Sequence, residues 1–139
     1  MSARRKSRKR AVDAVFAADI RKQSPLDLLA AVELNAADRQ NQEGIFAYAR
    51  EIVAGVIQHH AEIDDSIAAY SRNWPIERMP AVDRAILRVA VWELKFSSEV
   101  PDAVAISEAV ELAKELSTDD SGAFINGILG NIANTKRAI

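Results

Sequence analysis

Apolar residues recur every three or four positions along almost the whole chain, and this periodicity constrains the fold more than any other feature. In the first segment Val12, Phe16 and Ile20 form one such stripe, which predicts an amphipathic helix with these side chains toward a core. No alternating pattern long enough for a strand competes with the helical one. The sequence therefore predicts an all-α protein, a single domain of about seven helices.

Capping signals divide the first half of the pattern into helices. Ser24 is a good capping residue and Pro25 suits a first helical position, so a short second helix begins there. The polar stretch 35–42 predicts a loop. A long helix then runs from Glu43 and includes Ile57 in its core stripe.

Prolines divide the second half. Pro75 and Pro80 bracket a break, because proline disfavours helix in the residue before it. A strongly apolar helix follows and ends before Pro101. The next helix carries Val104 in its stripe, and the last one begins after the sequence TDDSG. Short loops imply that neighbouring helices pack in antiparallel fashion.

The residues that could perform catalysis have simpler structural interpretations. Cysteine is absent, and His59 and His60 are adjacent, so on a helix they point about 100° apart and cannot grip one metal ion. The acid pairs Asp64–Asp65 and Asp119–Asp120 are expected at helix starts because of the helix dipole. We expect no catalytic residue, metal or cofactor. A metal-dependent hydrolase using the paired aspartates is the enzymatic alternative.

No segment of the sequence has the length and apolarity of a membrane span. The stretch AVDAVFAADI follows a basic start, as in a signal peptide, but Asp13 and Asp19 interrupt it and no small-residue cleavage pattern follows. We expect a cytoplasmic protein that does not enter a membrane.

Charge is distributed very unevenly along the chain. The first ten residues hold six of the 18 basic residues and no acid, so residues 11–139 carry 12 basic and 20 acidic side chains. We name residues 1–10 the basic arm and residues 11–139 the helical domain. A basic arm on an acidic body predicts a polyanionic partner that binds at one end. The arm's cations are Arg4, Arg5, Lys6, Arg8, Lys9 and Arg10.

Helix formation in the basic arm is opposed by its own charge. Three like-charge pairs would lie four residues apart, at the helix end that already carries positive partial charge. We expect the arm to be frayed until phosphates neutralise it. Few aromatic residues and no exposed recognition helix favour single-stranded RNA over DNA. The alternatives are a solubilising tail or a targeting signal.

Several segments resemble the NusB transcription antitermination family. PAVDRAILRVAVWEL is similar to that family's central helix, VPDAVAISEAVELAKELSTDDSGAFINGILGNI to its last two helices, and RRKSRKRAVDAVFAADI to its arginine-rich first helix. The resemblance implies a non-catalytic protein of two small helical subdomains. It would bind boxA-type RNA together with NusE, a small-subunit ribosomal protein, within an RNA polymerase antitermination complex that supports ribosomal RNA transcription.

On the RNA side, the resemblance implies contacts from the basic arm and from Phe124 and Asn126 in the last helix. A ring can stack on a base and an amide can read a base edge. Asp120 matches an acidic position close to the RNA, where a carboxylate weakens phosphate contact. Many relatives carry a basic residue at the place of Ala123, so RNA affinity is expected to be lower here.

On the protein side, the expected contact is an acidic, partly apolar face near Tyr70, Trp74 and Asp83. Asp83 matches an acidic position facing NusE, although a first-turn acid of a helix explains it equally well. Some relatives self-associate, and the sequence leaves a homodimer open. The alternative from another functional class is a purely protein-binding helical adaptor whose basic tail only solubilises or targets it.

Overall fold

The computed structural model describes residues 2–36 and 40–138, with side chains to residue 136, and the described chain is all-helical. A short 3₁₀ helix over Ile76–Arg78 lies between α4 and α5. The all-α prediction is confirmed, while Met1, Ile139 and positions 37–39 of the predicted loop lie outside the described residues. The helices are α1 (Ala3–Arg21), α2 (Pro25–Asn35), α3 (Glu43–Gln58), α4 (His60–Ala69), α5 (Ala81–Phe96), α6 (Asp102–Leu116) and α7 (Asp119–Ala138).

Local signals account for the helix boundaries. Helix α1 ends at Arg21, and the next residue, Lys22, caps it by adopting the left-handed conformation and donating its backbone N–H to the Ala18 carbonyl. The Ser24 hydroxyl accepts the Asp27 N–H at the start of α2. Helices α5 and α6 each begin directly after a proline, Pro80 and Pro101, whose fixed φ suits the residue before a helix.

Helix α5 lies at the centre of the molecule, packed against α1, α3, α4, α6 and α7. Trp92 of α5 fits against Gly55 of α3, where an added Cβ would lie 1.8 Å from the indole Nε1. Only glycine allows α3 to approach that ring. The central position of α5 explains why it is buried on most sides.

Three residues assigned to core stripes are exposed instead, namely Ile20 (58%), Ile57 (43%) and Val104 (42%). Each lies within one turn of the end of its helix. The periodicity continues to the helix ends, but the neighbouring helices do not cover them. These three predictions were wrong, whereas Val12 is buried and Phe16 packs against the core.

Candidate nucleic-acid interface

The basic arm is the first half of α1. The helix begins at Ala3, and the Ser2 hydroxyl caps it by accepting the Arg5 N–H at 3.1 Å. Ser7, the one serine among the cations, is buried and donates its hydroxyl to the Ile45 carbonyl of α3 at 2.8 Å. The expectation of a frayed arm is therefore corrected, because contacts with the rest of the protein hold it in the helix.

Arg8 is the most buried of the arm's cations, with 4% of its surface exposed. Its Nε lies 2.8 and 3.1 Å from the two carboxylate oxygens of Glu93 in α5. Tyr48 of α3 donates its hydroxyl to Glu93 at 2.5 Å. Arg8 therefore lies beneath the surface that an RNA phosphate can reach, and we remove it from the predicted RNA contacts.

This buried cluster shifts the proton affinities of its members. Burial lowers the pKa of Arg8, but the hydrogen bond and charge of Glu93 outweigh burial and raise it overall. Burial, and then the hydrogen bond to Glu93, raise the pKa of Tyr48. Arg8 therefore stays charged and Tyr48 stays neutral, so the phenol remains a donor to Glu93.

Two further cations of the arm face carboxylates of α6. Arg5 donates to Glu108 at 2.7 Å, and Lys9 lies 2.6 Å from Glu115. A hydrogen bond to the facing glutamate is the main cause that raises the pKa of Arg5 and that of Lys9. We call Arg5, Arg8 and Lys9 the inner cations.

The remaining cations, Arg4, Lys6 and Arg10, form the outer set. The Arg4 guanidinium lies over the Tyr48 ring, 3.8 Å from its centroid, and 4.0 Å from the exposed carboxylate of Glu99. Arg10 lies over the Phe46 ring at 5.3 Å. No described carboxylate lies within 4.0 Å of Lys6 or Arg10, although the Arg10 charge acts on Asp13 from a greater distance. Because only Arg4 has a carboxylate within 4.0 Å, and that pair is exposed, the outer cations keep more of their positive charge available to a polyanion than the inner cations do.

A second candidate region lies where α4 ends and α7 begins. The rings of Trp74 and Phe124 are 4.7 Å apart and tilted by 58°. They line an open groove of about 330 Å³ together with Tyr70, Arg72 and Asn73. Tyr70, whose hydroxyl is hydrogen-bonded to Thr135, and Trp74 were predicted for the protein partner, and Phe124 for RNA. The structure brings the three together, and we name this place the aromatic groove.

Asp83 lies inside the protein. It is fully buried in the first turn of α5, and its Oδ2 accepts the Ser121 hydroxyl of α7 at 2.8 Å. Its other oxygen has no hydrogen-bond partner among the described atoms. The prediction that Asp83 itself contacts a protein partner is therefore corrected, because its carboxylate joins the starts of α5 and α7.

Asp120 and Asn126 are exposed on α7, as an interface requires. Phe124 and Asn126 are two residues apart, about 200° around the helix, so they do not share a face. Asp120 and Phe124 are four residues apart and do share one. The structure therefore places Phe124 with Asp120 and leaves Asn126 on another side of α7.

Asp64 and His59, two of the residues considered for catalysis, have structural partners. Asp64 accepts both hydrogen bonds of the Arg88 guanidinium, at 2.9 and 3.0 Å, and His59 stacks on Phe96 with ring centroids 3.8 Å apart. Across residues 2–36 and 40–138 no three potential metal ligands cluster. None of the described helices is long and apolar enough to cross a membrane.

Comparison with known proteins decides the family. The sequence profile of the NusB family matches residues 5–134. This chain belongs to the NusB family. The transcription antitermination protein NusB of Leifsonia xyli is 56% identical over 136 residues, which are 98% of this chain and 94% of that protein. The corresponding NusB of Clavibacter sepedonicus is 53% identical, covering 96% and 97%.

Solved structures of NusB proteins share the fold. Thermotoga maritima NusB superposes with a TM-score of 0.87 at 33% identity, covering 96% of this chain and 92% of that one. A crystal structure of antitermination factors NusB and NusE in complex with dsRNA gives 0.86 at 27% identity, covering 97% and 98%. The resemblance noted in the sequence is confirmed. So is the absence of enzymatic activity, because NusB proteins are transcription antitermination factors.

Sequence reasoning missed the acids that face the basic arm, Glu93, Glu108 and Glu115 on α5 and α6. The sequence did contain a signal for the contact between Arg8 and Glu93. Arg8 lies four residues before Val12 on the apolar stripe of α1, and Glu93 lies inside the apolar run AILRVAVWEL. Charged residues on core stripes are expected to pair with each other when buried.

Proposed function

We propose that this protein binds boxA-type RNA of ribosomal transcripts together with NusE, in the cytoplasm. Through that complex it helps RNA polymerase to pass termination signals during ribosomal RNA transcription. The observation that carries the proposal is the presence of Lys6 and Arg10 in the first half of α1 with no described carboxylate within 4.0 Å of either. Membership of an antitermination family and a related complex of NusB, NusE and RNA support it.

In this proposal the outer cations position the RNA and the aromatic groove adds selectivity. Phosphate contacts from Arg4, Lys6 and Arg10 carry no sequence information. An unpaired base stacking on Phe124 supplies it, and Asn126, on another face of α7, adds an amide contact to a different nucleotide. Asp120, on the same face of α7 as Phe124, repels the phosphate backbone of the RNA and so limits the affinity for RNA.

In this proposal the aromatic groove also contacts the protein partner. We propose that NusE contacts the Tyr70 side of the groove and RNA the Phe124 side, with Trp74 between them. Asp83 acts from inside, by holding the start of α7 through Ser121. On this account Trp74→Leu weakens the binding of both partners, whereas Tyr70→Ala weakens only that of NusE.

The test is a fluorescence anisotropy titration with labelled boxA-type RNA, with and without NusE. The variant K6Q/R10Q removes two outer cations, and the matched control R21Q/K22Q removes two exposed cations from the other end of the same helix. We expect K6Q/R10Q to lower affinity at low salt by about tenfold or more and the control to lower it far less. Equal losses in the two variants would contradict the proposed site.

The form of the RNA is a separate outcome of the same titration. The related NusB–NusE structure contains double-stranded RNA. Stacking on Phe124 requires an unpaired base, so we expect a single strand to bind more tightly than the same sequence annealed to its complement. Tighter binding of the duplex would remove Phe124 from the proposal while leaving the outer cations in it.

One observation favours a second candidate, a protein-binding adaptor without RNA affinity. Four of the arm's six cations already lie within 4.0 Å of the protein's own carboxylates. If the arm served only to stabilise the fold, this protein would bind NusE with the same affinity in the presence and in the absence of RNA, and it would show no RNA binding of its own. The two titrations distinguish the candidates, because the adaptor adds no RNA binding in either, whether NusE is present or absent.

A further inference from the structure

Helix α6 presents carboxylates to the inner cations in the way that a phosphate backbone would. Glu108 faces Arg5, and Glu115, near the end of α6, faces Lys9. An RNA strand that follows the basic side of α1 therefore meets cations that already have an anionic partner. The affinity of the arm for RNA then depends on how easily each resident carboxylate leaves its cation.

The resident carboxylates differ sharply in how strongly they are held. Glu93 is buried between Arg8 and Tyr48. Glu108 is only 15% exposed and lies against two guanidinium groups, at 2.7 Å from Arg5 and 3.6 Å from Arg8. Glu115 has a single ion-pair partner within 4.0 Å, although its charge also acts on Arg5 from a greater distance. Both side chains of that pair are open to solvent, Lys9 at 36% and Glu115 at 41%. Exposed ion pairs of this kind are weak and exchange readily.

We propose that Glu115 competes with RNA phosphate for Lys9 and so sets the RNA affinity of the basic arm. The inference rests on the proposed function and adds the regulation of its site. In the free protein Glu115 occupies Lys9, and in the complex a phosphate displaces it. Arg5 and Arg8 keep their glutamates throughout, because Glu108 and Glu93 are held by more than one partner.

Competition between Glu115 and phosphate for Lys9 changes the salt dependence of RNA binding. A Lys9–Glu115 pair has no net charge, so it contributes little to counterion release from the RNA. Without the Glu115 carboxylate, Lys9 adds up to one positive charge to the interface, of which Asp13, the other acid that raises its pKa, offsets a part. The slope of log affinity against log salt then becomes steeper by up to about 0.7 for a single strand.

The experiment compares Glu115→Gln with the matched control Glu111→Gln, titrated with boxA-type RNA and with oligo(U) at several salt concentrations. Glu111 is on the same helix and similarly exposed, and it pairs with Lys114 at 3.9 Å, while its charge acts on Arg5 of α1 only from a greater distance. Both variants remove one charge, so they share any general electrostatic effect. We expect E115Q to bind either RNA about two- to fivefold more tightly than E111Q at low salt, with the steeper slope.

A third variant isolates the contact with Lys9. In a K9Q background the difference between E115Q and E111Q should disappear, because the two mutations in a contacting pair are not additive. Circular dichroism melting curves check that every variant is folded. Equal affinities of E115Q and E111Q, or a difference that persists in K9Q, would overturn the inference and leave the proposed function standing. Failure of the wild-type chain to bind either RNA, with or without NusE, would overturn both.

Discussion

The inner and outer cations of α1 come from one uninterrupted basic run, yet the fold uses them differently. Arg8 is enclosed by Glu93 and Tyr48 inside the molecule, whereas Lys6, two residues earlier, is exposed and has no described acid partner. Two residues on a helix are about 200° apart, which suffices to send one side chain into the core and the other to solvent. A run of basic residues that forms a helix therefore divides its charges between two faces, one toward the core and one toward solvent.

The difference also explains how so much positive charge is tolerated at a helix start. The inner cations are neutralised by glutamates of α5 and α6, which relieves the repulsion expected from the arm alone. The protein thus orders its arm without RNA. What remains for RNA is a smaller set of charges held in a fixed geometry, so little ordering entropy is lost on binding.

The largest expected effect is on stability, from Arg8→Ala. Removing the guanidinium leaves the Glu93 carboxylate buried without its cation, which should cost about 3–5 kcal/mol in the free energy of unfolding. The measurement is urea unfolding followed by circular dichroism. Lys6→Ala is the control from the outer set and should change stability by no more than about 0.5 kcal/mol. Equal losses of stability in R8A and K6A would contradict the distinction between the inner and outer cations.

Tyr48→Phe should come next. The substitution keeps the ring beneath Arg4 but removes the hydrogen bond to buried Glu93, which is worth about 1.5–3 kcal/mol of stability for a charged acceptor. Tyr70→Phe is a matched control, since its hydroxyl bonds Thr135 at an exposed position. A loss for Y48F no greater than for Y70F, in the same unfolding assay, would show that Glu93 does not depend on this donor.

Phe124→Leu tests the aromatic groove against the outer cations. Loss of a stacked base should weaken RNA binding by about 1–3 kcal/mol while leaving the salt slope unchanged, because no charge is removed. Anisotropy titrations at several salt concentrations measure both quantities. Unchanged affinity would place the RNA path away from the groove and leave α1 as the only contact.

The smallest effect is expected from Asp120→Asn. Removing a carboxylate beside the RNA path should tighten binding about two- to fivefold at low salt, and the gain should fade as salt screens the repulsion. Asp65→Asn, an exposed aspartate on α4, is the control. An equal gain in both variants would mean that only the net charge of the protein matters.

The helical architecture could be predicted from the sequence because its signals are local. The positions of Ser24, Pro80 and Pro101 mark helix starts that the structure confirms. The pairing of Arg8 with Glu93 joins residues 85 positions apart, and its partner depends on how α1 and α5 pack. Local signals in the sequence indicated that Arg8 and Glu93 are each buried, but they did not indicate that the two residues pair with each other.

The aromatic groove failed to emerge from the sequence for the same reason. Trp74 lies in a proline-flanked turn and Phe124 in the first turns of α7, and no motif connects them. Family resemblance placed one with the protein partner and the other with RNA. Only the packing of α4 against α7 shows that both residues line one groove.

The division between inner and outer cations is tested most directly by the salt dependence of RNA affinity in two variants. R4Q/K6Q/R10Q removes the outer cations, and K9Q/E115Q removes one inner cation together with the glutamate that balances its charge. The account predicts that the first flattens the slope of log affinity against log salt by about 2, while the second leaves it nearly unchanged. An equal flattening per residue in both variants would contradict it.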